Sequence, residues 1–322
     1  MSNATSTSNN IVDSSNQIKY IIMQTCHIPS ILCSIFTLTH LLQNQNLRWI
    51  LHNHTPLILL LISILDSFIS HPLTLNYLRL SHVVPSTDAM CLFWNYANSI
   101  FTVSTYWTLA WGSLERHFLI FQSNWFSTRR GRILFHYIPL FITTFLYPVV
   151  VNIVVILLYP CQNQFNMRSL FCAFPCALKI SSVALYTRFA HQFIPVFIVA
   201  GSTLALFVRV INRRRQVQNN QVNWRRYRRM IIQLLTLASL FLTLTVPATT
   251  VSIIQNCCLP TFAITVQVSY LNFFVRFLTL FMPFVCLSLL PEIWHKLLTC
   301  KKTQARPIGR KHVRVTPAQY KR

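Results

Sequence analysis

Seven long apolar stretches constrain this chain more than any other feature of its sequence. Each is long enough to cross a bilayer, which takes about 20 mostly apolar residues in a helix. They lie at roughly residues 20–42, 55–78, 91–121, 133–158, 182–211, 231–255 and 262–290. Backbone polar groups must be paired internally in lipid, so such stretches form helices. The sequence therefore predicts an all-α membrane protein, a bundle of seven transmembrane helices.

The composition excludes several other classes of protein. Hydrophobic residues make up 53% of the 322 residues and charged residues only 10%, whereas a soluble domain carries roughly 25% charged residues. The sequence contains no pairing of a nucleophile with a base, no phosphate-binding loop and no paired metal-ligand spacing. We therefore expect neither an enzyme nor a bound cofactor or metal.

The positions of the cations predict the orientation of the bundle. If the N-terminus is outside, the loops after the first, third and fifth stretches and the C-terminal tail are cytoplasmic, and they hold 22 of the 28 Lys and Arg residues. Cytoplasmic loops carry such an excess of cations. The net charge of +23 then reflects topology and contact with anionic membrane lipids, and no nucleic-acid partner is expected.

The two ends of the chain differ in composition from the bundle at 20–290. Residues 1–19 are rich in Ser, Thr and Asn, which predicts a disordered extracellular tail, and Asn3 begins a glycosylation sequon. Residues 291–300 predict a short amphipathic eighth helix on the membrane surface. Cys300, beside two lysines, is a candidate for palmitoylation, and residues 301–322 form a basic cytoplasmic tail.

The third stretch carries the most specific pattern. Cys91 stands near its start, and the adjacent pair Glu115-Arg116 follows 24 and 25 residues later. At 1.5 Å per residue this separation is roughly 36 Å, so the cysteine and the acid–base pair lie at opposite membrane faces. A buried arginine at a membrane edge needs a partner, and an adjacent carboxylate can supply it.

This arrangement resembles the rhodopsin-like (class A) G-protein-coupled receptors, in which a cysteine opens the third helix and an Asp/Glu-Arg-Tyr triad closes it. The resemblance runs from about residue 20 to 300, and the triad is Glu115, Arg116 and His117. It implies that Arg116 is the switch residue that contacts a heterotrimeric G protein, with Glu115 as its resting counter-ion. The alternative is an arginine that reaches toward lipid phosphate, with Glu115 a bystander.

Further positions agree with the family or depart from it. The resemblance implies that three prolines and one aromatic residue act as activation hinges and packing: Pro195, Pro247, Pro283 and Phe241. The family's tryptophan before the sixth-helix proline is Thr245 here, and the asparagine before the seventh-helix proline is Met282. The family's sodium pocket around Asp66 is therefore short of oxygen ligands.

The extracellular cysteines have several possible pairings. The family precedent ties Cys91 to the second extracellular loop, and the last cysteine of that loop, Cys176, is the preferred partner. Cys172 remains the rival, because connectivity does not follow from sequence. The preferred pairing leaves Cys161 and Cys172 as a second disulfide within the loop.

Three polar residues are candidates for the ligand pocket: Asn98, Arg188 and Arg276. Asn98 stands where the family's amine receptors carry an aspartate, and Arg276 stands where opsins carry the retinal lysine, so both ligand types are disfavoured. Arginine can grip a carboxylate with two hydrogen bonds, and we expect Arg276 to receive an acidic group of an extracellular ligand. The alternative is an internal ion pair of Arg276, with Asp88 as the partner, and an Arg188 side chain that extends outward from the bundle.

These features predict a plasma-membrane receptor with an extracellular N-terminus and a G-protein partner. Its extracellular ligand is expected to be a peptide in preference to an amine. One alternative is a receptor-like subunit that no longer signals, consistent with the lost motifs. A transporter or channel fits less well, because the spans show no inverted repeat and few polar residues to line an aqueous path.

Overall fold

Seven long helices make up the part of the chain that is described by the computed structural model, residues 2–45, 51–216, 221–257, 259 and 261–288. Short helical turns at Leu51–Asn53, Ser123–Phe126, Leu170–Ala173 and Cys176–Lys179 lie between them. The long helices are α1 (Ser2–Gln43), α2 (His54–Leu80), α3 (Asp88–Phe121), α4 (Arg129–Leu157), α5 (181–216), α6 (Gln221–Cys257) and α7 (Ile264–Ser288).

Six of the seven helices are long and apolar enough to cross a membrane, and α3 is the exception. At 34 residues α3 is long enough, but it carries polar residues that are buried, including Asn95, Ser104 and Thr108. It packs against α2, α4, α5 and α6, so these side chains face protein instead of lipid. The central position of α3 explains its lower hydropathy, and the predicted seven-helix membrane bundle is confirmed.

Prolines follow π-helical turns in two helices, α4 and α5. In α4, π-helical turns at Ile133–Tyr137 and Ile142–Leu146 are each followed by a segment that opens with a proline at its second position, Pro139 and Pro148. In α5 the π-helical turn Phe189–Phe193 precedes Pro195. Proline lacks the N–H of a regular helical hydrogen bond and crowds the preceding turn, and a wider turn relieves that crowding.

The centre of the bundle is a cluster of buried side chains from α2, α3, α5, α6 and α7. Phe241 is fully buried there, and its ring meets that of Tyr106 edge to face at 5.0 Å. Phe241 therefore packs between α3 and α6, the position that the family resemblance implies. Pro247 and Pro283 lie inside α6 and α7; their action as hinges stays a prediction.

The disulfides correct the pairing expected from the sequence. Cys91 is bonded to Cys172, and Cys161 to Cys176, so the preferred Cys91–Cys176 pairing was wrong and the rival was right. The physical reason lies in the residue before Cys172. The Phe171 carbonyl accepts a 2.8 Å hydrogen bond from Asn95 Nδ2, and its ring packs on Trp94 at 4.9 Å. These contacts hold the loop against α3, beside Cys91.

The N-terminal segment also differs from expectation. Residues 2–19, predicted to be disordered, belong to α1, which begins at Ser2, well before the apolar stretch at roughly 20–42. Extending an existing helix avoids the cost of nucleating a new one, so the polar residues can continue the hydrogen-bond ladder. The side chain of Asn3 lies outside the described residues, as do the predicted eighth helix at 291–300, Cys300 and the tail at 301–322.

A close approach of α2 and α3 gives a test of the packing. A Cβ added at Gly112 of α3 would lie 2.5 Å from Thr55 Cγ2 of α2, whereas one added at Gly201 of α5 has no atom of the described residues beyond its own helix within 4 Å. We expect Gly112→Ala to lower the free energy of unfolding by roughly 1–3 kcal/mol through overpacking. Gly201→Ala is the matched control and should be neutral or slightly stabilising. Thermal denaturation of the two purified variants would measure this, and equal stability would contradict the described crossing.

Candidate functional site

A cavity of about 300 Å³ lies among α3, α4, α5 and α7 beneath the loop that the disulfides hold. Its lining includes all three ligand-pocket candidates predicted from the sequence, Asn98, Arg188 and Arg276. Phe171 and Phe174 of the loop contribute to it as well, and Asp66 enters from α2. Residues that the sequence places on separate helices thus meet in one concave site.

Arg276 stands at a break in α7, between the segments Asn272–Val275 and Phe277–Ser288. Its guanidinium carbon lies 4.5 Å from the centre of the Phe171 ring, a cation–π contact. Among the described residues, none of the carboxylates of Asp66, Asp88 and Glu115 lies within ion-pair distance of it. The internal pairing with Asp88 is therefore not found, and Arg276 presents a cation to the cavity.

Arg188 and Asn98 have different surroundings. Arg188 donates a 2.9 Å hydrogen bond from Nη1 to Asn256 Oδ1, which links α5 to α6. The side-chain oxygen of Asn98 is buried, and within the described ranges no group donates a hydrogen bond to it. Arg188 thus has a protein partner already, whereas the buried side-chain oxygen of Asn98 has no donor among the described residues.

Asp66 brings a second charge into the lining of the cavity. The residue is 3% exposed, and its Oδ2 accepts a 2.8 Å hydrogen bond from the Thr279 hydroxyl and lies 3.3 Å from His71 Nδ1. The ring of His71 stacks on His27 at 5.5 Å. The members of this cluster lie on α1, α2 and α7, and only Asp66 was a candidate from the sequence. The only available signal was the polar character of these residues within apolar stretches.

The sodium site implied by the resemblance does not fit these residues. One oxygen of Asp66 is engaged by Thr279 and His71, Met282 supplies no oxygen ligand, and Arg276 already places a cation in the same cavity. A sodium ion needs several oxygen ligands. No grouping of potential metal ligands occurs elsewhere in the described part of the chain.

The triad lies at the other end of α3 and is deeply buried. Glu115 is 1% exposed and Arg116 is 2% exposed. The Glu115 carboxylate accepts a 3.3 Å hydrogen bond from the Thr55 hydroxyl of α2 and is hydrogen-bonded through its other oxygen to His136 Nδ1 of α4. Arg116 borders a small void together with Val199 of α5 and Leu237 of α6. The acid therefore faces α2 and α4, and the arginine borders α5 and α6.

Two histidines at this end, His54 and His136, were not predicted from the sequence to lie in the site. His136 is fully buried, and its Nε2 lies 2.7 Å from His54 Nδ1. Because an ionised carboxylate can only accept hydrogen bonds, His136 Nδ1 donates to Glu115, and a second hydrogen bond joins the two imidazoles. His136 was detectable only as a polar residue in the apolar fourth stretch. Its partner is 21 positions away, a separation that no local pattern reveals.

His117, the third member of the triad, forms a separate link. Its Nε2 accepts a 2.8 Å hydrogen bond from Arg209 Nη1 of α5, and its ring packs near Phe121 at 4.9 Å. The arginine also lies 5.1 Å from the Phe121 ring. His117 therefore joins α3 to α5 at the end where Arg116 lies.

Comparisons with known proteins identify the fold. No protein-family model matches the sequence, and no curated protein matches it. Among solved structures, the crystal structure of squid rhodopsin is similar over 94% of this chain and 90% of its own chain, with a TM-score of 0.68 and 15% sequence identity. This chain is therefore a multi-pass membrane protein with the rhodopsin-like seven-helix fold.

Proposed function

We propose that the chain is a G-protein-coupled receptor of the plasma membrane. It binds an extracellular ligand in the cavity around Arg276 and activates a heterotrimeric G protein through Arg116. The distribution of cations supports an extracellular N-terminus, which puts the disulfide-held loop outside and Arg116 at the cytoplasmic face. One observation carries the proposal: a single continuous helix, α3, runs from the lining of the cavity at Asn98 to the buried pair Glu115-Arg116.

The cavity favours a ligand with an acidic group. A guanidinium recognises a carboxylate with two parallel hydrogen bonds, and Arg276 has no ion-pair partner among the described residues. The volume of about 300 Å³ is at the lower end for ligand pockets. It accepts a small acid or the acidic end of a peptide, which leaves the remainder of the peptide to contact the loops.

The buried position of the triad supports the switching role. Arg116 borders residues of α5 and α6, so a separation of those helices at this end would expose it to a cytoplasmic partner. Glu115 is bonded to α2 and α4 and would stay in place during that movement. The rival function is a receptor-like subunit without signalling. The observation that favours it is that Thr245 and Met282, which replace two of the family's motif residues, are buried in the core.

If the ligand binds at Arg276, replacing this residue should strongly reduce the potency of the ligand. We expect Arg276→Met to reduce the potency of an acid-bearing ligand by roughly 30-fold or more, because truncation removes one partner of a desolvated charge pair. Concentration–response curves for a library of acidic peptides, at matched surface expression, would measure this.

Two further variants separate charge from geometry. Arg276→Lys keeps the charge but loses the planar fork, so its potency should be intermediate. Arg188→Met should have the smaller effect, since Arg188 already donates to Asn256. Unchanged potency in Arg276→Met would refute ligand recognition by this residue.

A further inference from the structure

The ligand cavity holds charges of both signs on different helices. Arg276 of α7 has no carboxylate of the described residues within ion-pair distance. The two carboxylate oxygens of Asp66, on α2, have different surroundings. Oδ2 accepts a hydrogen bond from Thr279 and lies beside His71, whereas Oδ1 is buried and receives no hydrogen bond from any described group. Burying a charged acceptor without a hydrogen bond costs free energy. A ligand group that donates a hydrogen bond to Asp66 Oδ1 would recover this free energy.

Asn98 provides a second acceptor in the same cavity. Its Oδ1 is also buried without a donor in the described part of the chain, and it projects from α3, the helix that forms a wall of the cavity. The residues that line the cavity therefore include one cation, Arg276, and two that each carry a buried oxygen without a donor among the described residues, Asp66 and Asn98. A ligand that satisfied all three would need an anionic group and an N–H-bearing group in one molecule.

We propose that the ligand is amphoteric: an amino acid, or a short peptide that presents both an ammonium group and a carboxylate. The carboxylate binds the guanidinium of Arg276, and the ammonium donates to Asp66 Oδ1 and Asn98 Oδ1. This inference rests on the receptor function proposed above and narrows its ligand from acids in general to molecules of both charges.

Ligands of a single charge match the cavity less well. A simple carboxylic acid pairs with Arg276 but leaves Asp66 Oδ1 without a donor and brings a second negative charge toward it. A simple amine satisfies Asp66 but adds a positive charge to the cavity of Arg276 and Arg188. The size agrees as well, because a pocket of about 300 Å³ suits one or two residues better than a long peptide.

The test uses the purified full-length protein and measures binding without reference to signalling. Its thermal stability is recorded with each free amino acid and a set of dipeptides at about 10 mM, a concentration that reveals even weak affinities. Every compound is compared with its analogue lacking the amino group and its analogue lacking the carboxylate. We expect at least one zwitterion to bind about 30-fold more tightly than both analogues, as removal of one partner of a buried charge pair implies.

Two variants test which residue binds the amino group of the ligand and which binds its carboxylate. Asp66→Asn, which preserves shape, should remove the preference over the analogue without an amino group, and Arg276→Met should remove the preference over the analogue without a carboxylate. Should Asp66→Asn fail to fold, the analogue series on the unaltered protein still decides the question.

Three results would overturn the inference. They are equal binding of the acid that lacks an amino group, an unchanged preference in Asp66→Asn, and the absence of binding by every amino acid and dipeptide tested. An acid that binds through Arg276 alone would overturn it and leave the proposed receptor function intact. Conversely, a failure of G-protein activation would leave zwitterion binding unaffected.

Discussion

Replacing Cys172 with serine is expected to remove most of the folded protein from the cell surface. The Cys91–Cys172 bond joins residues 81 positions apart, and cross-links over long loops remove the most entropy from the unfolded chain. On the loop-entropy model this disulfide contributes about 4.5 kcal/mol. Its loss also releases Phe171, whose ring contacts Arg276, so the surviving protein should bind ligand poorly.

Cys176→Ser is the matched comparison. The Cys161–Cys176 bond spans only 15 positions, and the same model gives it about 3 kcal/mol. Surface labelling of an N-terminal epitope, with peptide mapping under non-reducing conditions, would measure both variants. The double variant Cys91→Ser, Cys172→Ser should resemble Cys172→Ser, since both lack the same bond. A greater loss in Cys176→Ser, together with a mapped Cys91–Cys176 peptide, would contradict this connectivity.

The second large effect is expected at His136. Its removal by alanine takes away the imidazole donor of a carboxylate that is 1% exposed, and breaking a buried pair costs about 3 kcal/mol. Part of this loss should appear as increased basal G-protein activation, because Glu115 is no longer tied to α4. His136→Gln retains a side-chain donor and should behave more like the unaltered protein.

A double-mutant cycle separates this pair from a general packing defect. In the Glu115→Gln background the buried group carries no charge, so His136→Ala should cost less than it does alone, with a coupling energy of about 1–3 kcal/mol. Thermal stability and basal activation would be recorded for all four proteins. Additive effects on both would show that the contact between Glu115 and His136 carries no interaction energy.

The fold was predictable from the sequence because membrane insertion is a local property of composition. Any stretch such as 55–78 is apolar enough to be identified without its neighbours. Even α3, whose polar side chains lower its hydropathy, was recognisable by the distance from Cys91 to Glu115. The helical extension from Ser2 was not, since residues such as Ser and Asn are poor helix formers.

Residues of the candidate site could be predicted from the sequence only where the residue type or its position in a span was unusual. Arg276 stood out as a charged residue in an apolar span, and Asn98 was chosen because it stands where the amine receptors carry an aspartate; both line the cavity. The partners of Glu115 did not stand out, because adjacent positions on a helix face different directions and His136 comes from another helix. The prediction of the disulfide pairing failed for a related reason. Cys172, and not Cys176, bonds to Cys91 because a hydrogen bond from Asn95 holds that part of the loop beside α3.

The most direct test of the central claim is G-protein activation in cells, measured with a dissociation-sensor panel covering the G-protein families. The protein is compared with Arg116→Ala and with Arg129→Ala, which removes an exposed arginine near the same end of the bundle. With an acidic peptide and amino-acid library at equal surface expression, we predict a ligand-dependent or constitutive signal that Arg116→Ala abolishes and Arg129→Ala preserves. A signal that survives in Arg116→Ala would contradict the account, and silence from the unaltered protein across the panel would favour the receptor-like subunit without signalling.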